Sequence, residues 1–426
     1  MTNSDFAAQS VFVRDLLARG YVHQCTDLAG LDALAITRPL IAYVGYDLTA
    51  ASLHVGHLIS IMMLRRLQQA GGKPIVLMGG ATTKIGDPSD KDKSRPVLTP
   101  EQIAANKAGI KGVFSRFLRF GDGPSDAIMV DNADWFVGVP YLDFLRDYGA
   151  HFTINRMLTF DSVKRRLDRE QPLTFLEFNY MLLQAVDFLE LSRRLSCDLQ
   201  MGGSDQWGNI VNGVELCRRI EDRRAFGLTT PLLTTASGAK MGKTEGGAVW
   251  LNADLTSPYD YWQFWRNTED ADVGRFLALF TDMPVEDCAF LGRSQGSDIN
   301  AAKKLLATAA TALVHGRAAA EAAAASAAAL FEQGADFAQG LPIFAVTRAQ
   351  IAAGLSAAEA FTLAELTPTR SDARRQAQGG ALRIGARAIT DAAERLAPAD
   401  FDAEGRALLQ LGKKKRAVLQ ITASGD

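Results

Sequence analysis

Residues 40 to 235 alternate between short apolar runs and longer segments of helical periodicity. "LIAYVGY" is followed by "LHVGHLISIMMLRRLQQAGG" and "PIVLMGG", and "AIMVDN" and "CDLQMGG" come later. A strand that is buried on both faces gives a continuous apolar run, and a helix then crosses over to the next parallel strand. The alternation therefore predicts an α/β fold with a Rossmann-like parallel sheet wrapped by helices.

The sequence changes character after residue 247. From Ser257 to Leu330 there is almost no strand signal, and the alanine-rich end of this stretch favours helix. Weaker periodicity with scattered glycines then indicates a linker that contains one short helix. The expected domains are a catalytic domain with a dimer-interface insertion at 1–247, an α-helical domain at 248–330, a linker at 331–365 and a small α+β domain at 366–426.

Charge is balanced over the whole chain but not at its end. The 426 residues include 46 basic and 48 acidic side chains, so no general field would attract nucleic acid. From Pro368 to Asp426, however, 11 Lys or Arg stand against 7 Asp or Glu. Any polyanionic partner is therefore expected to bind at this local basic region.

The remaining composition indicates a soluble cytoplasmic protein. Four cysteines lie far apart without CxxC spacing, which argues against disulfides and a structural zinc site. No basic leader precedes an apolar stretch, and no segment has the roughly 18 apolar residues of a membrane span. We expect no membrane association.

The stretch "LTAASLHVGH" places two histidines where a helix is predicted to begin. His54 and His57 are expected on one helical face, with the hydroxyl of Thr49 nearby. A helix start holds phosphate, imidazoles can donate further hydrogen bonds there, and Gly56 leaves room for a flat ring to approach the backbone. Two surface histidines that cap a helix are the alternative, and a zinc site would need a third ligand that is not nearby in sequence.

A second candidate is the glycine-rich stretch "SGAKMGKTEGG" at 237–247. Lys240 and Lys243 lie three apart, an arrangement that suits a loop closing positive charge over a polyphosphate. A solvated basic turn is the alternative interpretation.

These two motifs resemble the HIGH and KMSKS signatures of class I aminoacyl-tRNA synthetases. Gly242 stands where the second signature has serine, and Thr244 ends it. Four longer stretches resemble the bacterial tyrosyl-tRNA synthetases in particular, and the likeness extends over nearly the whole chain. The stretches are "YVGYDLTAASLHVGH", "GGATTKIGDPSDKDKSR", "FNYMLLQAVDF" and "QMGGSDQWGN".

The resemblance implies a site for tyrosine. Tyr43, expected at the end of the first strand, and Asp187 would bind the phenolic hydroxyl, which needs a polar pair at the end of an apolar slot. Tyr180, Gln184 and Asp187 are spaced i, i+4 and i+7 along one helical stripe, as a shared site requires. The resemblance further implies that Asp87 joins Tyr180 and Gln184 at the ammonium group. The other implied positions are Gln206, near the carboxylate, and Asn132.

The resemblance also implies ATP as a substrate, accompanied by Mg²⁺, with no tightly bound cofactor and no dedicated protein metal site. The tyrosine carboxylate would attack the α-phosphorus, so positioning and charge stabilisation should suffice without a protein nucleophile or base. The implied catalytic residues are Thr49, His54, His57, Lys240, Lys243, Lys91 and Arg95, and those that bind ATP are Asp47, Gly56, Asp205 and Lys243.

The C-terminal region resembles an S4-like RNA-binding fold, which implies tRNA(Tyr) as the partner. The family resemblance also implies that the α-helical domain at 248–330 binds the anticodon. Its basic residues would contact the RNA backbone, although a solvated surface remains an equal alternative for each one. The family also implies a homodimer. The residues implied for tRNA are Arg370, Arg374, Arg375, Lys413, Lys414 and Lys415.

Three other functions compete with a tyrosine enzyme. A nucleotidylyltransferase also binds ATP phosphates with an HxGH helix, but it would not need Tyr43 with Asp187 or the basic C-terminal region. A tryptophan enzyme shares the architecture, and a phenol-directed Asp187 speaks against it. An RNA-binding paralogue without catalysis would have a broken motif, and none is found.

Overall fold

The computed structural model describes two compact units of the chain. It covers residues 6–87, 98–238, 241–244, 247–332, 341–385, 387–402, 405–412 and 415–422, apart from the side chains of 161, 162, 243, 244 and 329–332. The first unit comprises residues 1–252 and 268–306, and the second comprises 253–267 and 307–426.

A six-stranded sheet forms the centre of the first unit. The strands are parallel except for the short β1, which pairs antiparallel at one edge. Their order across the sheet is β1-β6-β5-β2-β3-β4. The strands are β1 (Gln24–Cys25), β2 (Ile41–Tyr46), β3 (Lys73–Met78), β4 (Ile128–Asp131), β5 (Leu199–Gly203) and β6 (Phe226–Thr230).

Helices connect these strands, as the alternation predicts. The helices before the sheet's last strand are α1 (Val11–Arg19), α2 (Leu28–Thr37), α3 (Val55–Gln69), α4 (Pro100–Phe114), α5 (Ala133–Phe136), α6 (Tyr141–Asp147), α7 (Ile154–Met157), α8 (Asp161–Asp168), α9 (Phe175–Leu195) and α10 (Trp207–Glu221). A hairpin of two short strands, β7 (Lys243–Thr244) and β8 (Gly247–Ala248), follows the sheet. The predicted α/β fold with a parallel sheet is confirmed.

The strand order reverses between β2 and β5. From β2 the chain proceeds to β3 and β4 on one side, whereas β5 and β6 lie on the other. Open α/β sheets bind ligands at such a switch point, beyond the carboxyl ends of the strands. The two strands pair only at Ala42 with Leu199 and Tyr43 with Gln200, although β2 continues to Tyr46. A crevice is therefore expected at this end.

The region after the hairpin is helical, as predicted, but it is shared between the two units. The expected boundaries of the α-helical domain do not match this division, because residues 268–306 belong to the first unit. The helices are α11 (Pro258–Arg266) in the second unit, α12 (Val273–Phe280) and α13 (Val285–Leu291) in the first, α14 (Ser297–His315), which crosses the boundary, and α15 (Arg317–Glu332) in the second.

The second unit contains a five-stranded sheet of order β11-β10-β12-β13-β9. Apolar side chains of its strands and helices form one buried core that includes Val346, Phe361 and Leu419. Its strands are β9 (Ile343–Thr347), β10 (Leu382–Ile384), β11 (Arg387–Ile389), β12 (Arg406–Leu411) and β13 (Lys415–Thr422). Its helices beyond α15 are α16 (Arg348–Ala352), α17 (Ala357–Leu363) and α18 (Arg370–Gln378).

The prediction of a linker at 331–365 is wrong for residues 343–363. Strand β9 pairs in parallel with β13, and Phe361 of α17 is fully buried in the core of this sheet. The segment is therefore part of the C-terminal fold, which begins before the predicted residue 366.

Candidate active site

The first unit has a large cleft at the switch point between β2 and β5. Its volume is about 720 Å³, which lies within the range of small-molecule sites. The cleft brings together most of the residues predicted for tyrosine and ATP. They are Tyr43, Asp47, Thr49, His54, Gly56, His57, Asp87, Asn132, Tyr180, Gln184, Asp187, Asp205 and Gln206.

The side chains of the four predicted cationic residues lie outside the described part of the chain. Lys91, Arg95 and Lys240 are not among the described residues, and only the backbone of Lys243 is described, in β7. No lysine or arginine occurs among the described residues that line the cleft. Their assignments stay predictions.

The two histidines form the start of α3. His54 is the N-cap, with extended backbone, and its Nδ1 accepts the backbone N–H of Gly56 at 3.0 Å. His57 Nδ1 accepts the backbone N–H of His54 at 3.2 Å, which completes a capping box, and the ring centres lie 4.1 Å apart. The prediction of one helical face is thus corrected, because His54 precedes the helix. A neutral imidazole whose Nδ1 accepts carries its proton on Nε2.

Gly56 is surrounded by the ring that caps it. A Cβ at this position would lie 2.7 Å from Cε1 and 2.9 Å from Nδ1 of His54. A side chain at position 56 would therefore collide with the imidazole that caps the helix, so the capping geometry favours glycine here.

The lysine-containing stretch and the start of α3 touch through their backbones. Val55 donates its N–H to the carbonyl of Val249 at 2.9 Å, and Val249 in turn donates to Gly242. Gly242 has a φ of +95°, and a Cβ there would lie 2.8 Å from the backbone nitrogen of Gly56. The glycine at 242, where the family signature has serine, thus permits a close approach between the two motifs.

Asp187 lines the cleft and accepts from two donors, one directly after β4 and one on α5. Trp135 Nε1 donates to Asp187 Oδ1 at 2.9 Å, and Asn132 Nδ2 donates to Oδ2 at 3.2 Å. Asp187 is only 3% exposed. Burial raises its pKa to about 8, although the two donors oppose the rise. An exposed position on the helix face is therefore excluded for Asp187.

Tyr43 lines the same cleft from β2. It lies within the strand rather than at its end as predicted, and this strand is second in chain order. Its buried hydroxyl makes no hydrogen bond to any described residue. Burial, and secondarily the charge of Asp187, raise the pKa of the phenol well above its ordinary value. The hydroxyl is therefore a neutral donor beside a carboxyl group.

The predicted stripe on α9 faces the cleft. The Tyr180 hydroxyl donates to Asp47 Oδ1 at 3.2 Å, and Gln184 Nε2 donates to Gln206 Oε1 at 3.2 Å. Gln206 in turn donates to Asp87 Oδ2 at 2.9 Å. Gln184, Gln206 and Asp87, which were assigned to the tyrosine ammonium and carboxylate, are therefore already joined by hydrogen bonds.

Two polar residues at this site were missed in the sequence. Trp135 lies in "VDNADW", three residues after Asn132, and its indole holds Asp187. Thr82 Oγ1 donates to Asp47 at 3.1 Å and accepts from Asn132 Nδ2 at 3.0 Å. The spacing of Trp135 from Asn132 on a short helix was a usable signal, whereas nothing local marked Thr82.

The described part of the chain holds no group of three metal-ligating side chains. It also has no helix whose length and apolarity would suffice for a membrane span.

The predicted tRNA-binding arginines lie on α18 in the second unit. Arg370 forms an ion pair with Glu359 at 3.1 Å, and Arg375 pairs with Asp372. Arg374 is exposed, as is Lys415 at the start of β13, whereas Lys413 and Lys414 lie outside the described residues.

Comparison with known proteins agrees with this geometry. Residues 35–332 match the family model of tRNA synthetases class I (W and Y). A tyrosine--tRNA ligase of Caulobacter vibrioides is 61% identical over 96% of this chain and 97% of its own, and one of Rhodopseudomonas palustris is 56% identical over 97% and 99%. The chain belongs to the bacterial tyrosyl-tRNA synthetases of class I.

A solved structure supports the same assignment. The C-terminally truncated mitochondrial tyrosyl-tRNA synthetase of Aspergillus nidulans superposes with a TM-score of 0.68 at 31% identity, covering 76% of this chain and 95% of that one. The predicted family, its class I fold and its ligase function are confirmed. The S4-like assignment of the C-terminal sheet stays a prediction.

Proposed function

We propose that the chain activates L-tyrosine with ATP to tyrosyl-adenylate and pyrophosphate, and then transfers tyrosine to the 3′-terminal adenosine of tRNA(Tyr). The observation that carries the choice of tyrosine is the buried hydroxyl of Tyr43 beside Asp187, at one end of a cleft whose other end is the start of α3. A hydroxylated ring supplies the partner that this buried donor lacks among the described residues.

The same pair explains selectivity against phenylalanine. A ligand without a hydroxyl would leave the buried Tyr43 hydroxyl without a partner among the described residues, and an unpaired buried polar group is costly. The tyrosyl-tRNA synthetases are themselves the usual example of discrimination by this means. Indole has no hydroxyl at the matching position, so a tryptophan substrate fits the pair less well.

The polar network beyond Asp187 would bind the amino-acid backbone. Asp87, Tyr180 and Gln184 would surround the ammonium group, and Gln206 is linked to Asp87 and Gln184. Negative charge from Asp87 favours a cation there. The reacting carboxylate would then point toward the start of α3, with Asn132 fixing the ring end through Asp187.

The other end of the cleft would bind ATP. Asp205 and Asp47 would contact the nucleotide, Gly56 would let it approach the backbone, and the Nε2–H groups of His54 and His57 would donate to phosphate oxygens. Thr49 adds a hydroxyl, and Mg²⁺ would arrive on the phosphates of ATP. Positive charge for the departing pyrophosphate would come from Lys91, Arg95, Lys240 and Lys243.

No protein nucleophile or base is needed in the first step. The tyrosine carboxylate forms a bond to the α-phosphorus while the bond from that phosphorus to the bridging oxygen of pyrophosphate breaks. In the second step a ribose hydroxyl of tRNA attacks the activated carbonyl, and AMP leaves. The chain contributes orientation and charge stabilisation in both steps.

The basic C-terminal surface would contact tRNA through Arg370, Arg374, Arg375 and Lys413 to Lys415. Arg374 is the sharpest position to test, because Arg370 and Arg375 already pair with acidic neighbours. Arg374→Ala should weaken tRNA binding, lower the salt dependence by about one phosphate contact, and leave adenylate formation unchanged. Arg119→Ala, which removes an exposed arginine from the first unit, is the matched control; an equal effect of both variants would contradict a specific surface.

We also propose a homodimer. The segment from the end of β4 to the first turn of α9 exposes several large apolar side chains, including Val137 at 72%, Leu142 at 76% and Phe175 at 68%. Exposed apolar side chains in such number mark interaction surfaces. Analytical ultracentrifugation should give a dimer for the chain, and Leu142→Asp should shift it toward monomer; a chain that is monomeric at micromolar concentration would refute the proposal.

Exchange of labelled pyrophosphate into ATP tests the whole assignment. Tyrosine should stimulate the exchange, whereas phenylalanine and tryptophan should not at equal concentration. Stimulation by another amino acid alone, or by none, would overturn the proposal.

A further inference from the structure

Aspartates that flank the two ends of the short helix α12 bond the segment before the lysine-containing stretch and the helix that follows the histidine motif. At its amino-terminal end, the Asp272 side chain accepts the backbone N–H of Ala236, which lies just before the lysine-containing stretch, at 2.7 Å. At its carboxyl-terminal end, Asp282 accepts from Arg65 at 2.6 Å and from Arg66 at 2.9 Å, near the end of α3. We call residues 234–237, which lead into the lysine-containing stretch, the stem of the lysine loop. The residues that flank α12 therefore contact both this stem and α3, the helix that begins at the histidine motif.

Asp272 does not cap its own helix. It occupies the N-cap position of α12, where aspartate usually accepts an N–H group of the first turn, but it makes no such bond. Its Oδ2 accepts from Ala236 instead, and its Oδ1 accepts from Arg275 Nη2 at 2.8 Å. The side chain of Asp272 is 3% exposed. A buried carboxylate is thus directed away from the local helix and onto the loop stem.

Two neighbours strengthen this attachment. Arg275, held by Asp272, also donates to the carbonyl of Thr234. The Ser237 hydroxyl donates to Glu269 Oε1 at 2.7 Å. Three parts of the stem are therefore fixed to the segment at 269–275, through both backbone and side chain.

Residues within the lysine-containing stretch contact both the residue before the stem and the start of α3. Met241 donates its N–H to the carbonyl of Leu233 at 2.9 Å, and Gly242 approaches Gly56 closely enough that no side chain would fit between them. A displacement of the stem at Ala236 would therefore change how the loop backbone lies against the histidine motif.

We propose that Asp272 is a positioning residue for ATP, which sets the stem of the lysine loop against the start of α3. This inference rests on the proposed function for its account of the ATP end of the cleft. The Arg275 side chain is 43% exposed, so its ion pair with Asp272 contributes little to stability, whereas the buried Asp272 oxygen that accepts from Ala236 fixes the position of the stem. The role predicted for Asp272 is therefore geometric: its loss affects ATP, and the tyrosine end of the cleft is unaffected.

The test compares Asp272→Ala with a variant two residues away. Asp270 lies in the same turn, is exposed, and pairs with Lys303 at 2.5 Å, so it has no part in the loop stem. We expect Asp272→Ala to raise the KM for ATP at least about ten-fold, as removal of a buried acceptor does, with the Kd for tyrosine changed less than about two-fold. Asp270→Asn should match the unmodified chain in both, and Asp272→Asn, which keeps an acceptor for Ala236, should recover part of the loss.

Direct binding of ATP, measured by calorimetry, accompanies the exchange assay. If no amino acid stimulates exchange in the unmodified chain, the proposed function fails, while ATP affinity still decides the role of Asp272. Equal ATP parameters for Asp272→Ala and Asp270→Asn would overturn the inference. So would a parallel loss of ATP and tyrosine affinity in both Asp272 variants, because that result indicates a general structural role.

Discussion

The two ends of the cleft are built in different ways. At the tyrosine end, buried side chains hold one another: Asn132 is fully buried, and it donates together with Trp135 to Asp187. At the ATP end, the start of α3 and the stretch around Gly242 contact each other through their backbones. A side-chain network suits the recognition of one small substrate, whereas a backbone framework positions groups around phosphates.

This difference predicts that mutations at the two ends separate binding from chemistry. Variants at the tyrosine end should change tyrosine affinity and leave the chemical step alone. Variants at the ATP end should do the reverse. Any variant that changes both equally weakens the comparison.

The largest expected effect is at His54. His54→Ala should lower the rate of adenylate formation about 100-fold, because a donor to developing phosphate charge is lost, while tyrosine affinity stays within about two-fold. It should also destabilise the fold by about 1 kcal/mol, because the N-cap of α3 is lost. Stopped-flow fluorescence and urea unfolding measure the two quantities.

His54→Asn separates these effects. Asparagine is a favourable N-cap but lacks Nε2, so stability should recover while the rate does not. If His54→Asn recovers the rate of adenylate formation together with stability, the imidazole acts only by capping α3 and not by donating to phosphate.

Gly242 should show the next largest effect. Gly242→Ala places a Cβ 2.8 Å from the Gly56 nitrogen, and overpacking of this kind costs about 1 to 3 kcal/mol. We expect a loss of about ten-fold or more in kcat/KM for ATP, with unchanged tyrosine binding. Gly238→Ala is the control, because Gly238 has a similar φ of +86° but open space around its Cβ; equal losses would assign the effect to backbone strain alone.

Tyr43 should show the opposite pattern. Tyr43→Phe should weaken tyrosine binding about ten-fold, equivalent to one hydrogen bond of about 1.4 kcal/mol, and reduce discrimination against phenylalanine. The unfolding free energy should not fall, since the hydroxyl has no partner among the described residues. Tyr46→Phe, at the end of the same strand, removes a hydroxyl that bonds Ser60 at 3.0 Å and should destabilise the fold. A stability loss in Tyr43→Phe as large as in Tyr46→Phe would show that the Tyr43 hydroxyl is satisfied.

The sequence predicted these elements unevenly, for physical reasons. The central strands were predictable because each is buried and gives a continuous apolar run, as in Lys73–Met78. Strand Ile343–Thr347 was missed because its residues are half exposed and its pairing partner, β13, lies more than 70 residues later. Edge strands of this kind carry little local signal.

The site was predictable where a motif or a helical stripe carried it. Tyr180, Gln184 and Asp187 follow from their spacing on α9, whereas the partners of Asp187 depend on a contact 52 residues away, from Trp135. Capping by His54 stood only as the alternative interpretation, since histidine is not a preferred capping residue, and the structure places it at the N-cap. Local sequence thus indicates which residues share a face, and tertiary packing decides what they bond.

The stability of the fold should also depend on pH, through Asp187 at the tyrosine end of the cleft. The pKa of Asp187 is raised to about 8 in the folded chain, against about 3.9 for an unfolded aspartate. Between these values the folded state holds a proton that the unfolded state has released, so the contribution of this carboxyl to stability is full below about 3.9 and is lost as pH rises toward 8. The slope is at most about 1.4 kcal/mol per pH unit.

Urea unfolding from pH 5 to 9 should show that Asp187→Asn loses this component of the slope while His54→Asn retains it. An identical slope in the chain and in Asp187→Asn would mean that Asp187 is ionised in the folded state, and the tyrosine end would then present a charge, not a neutral donor, to the phenol.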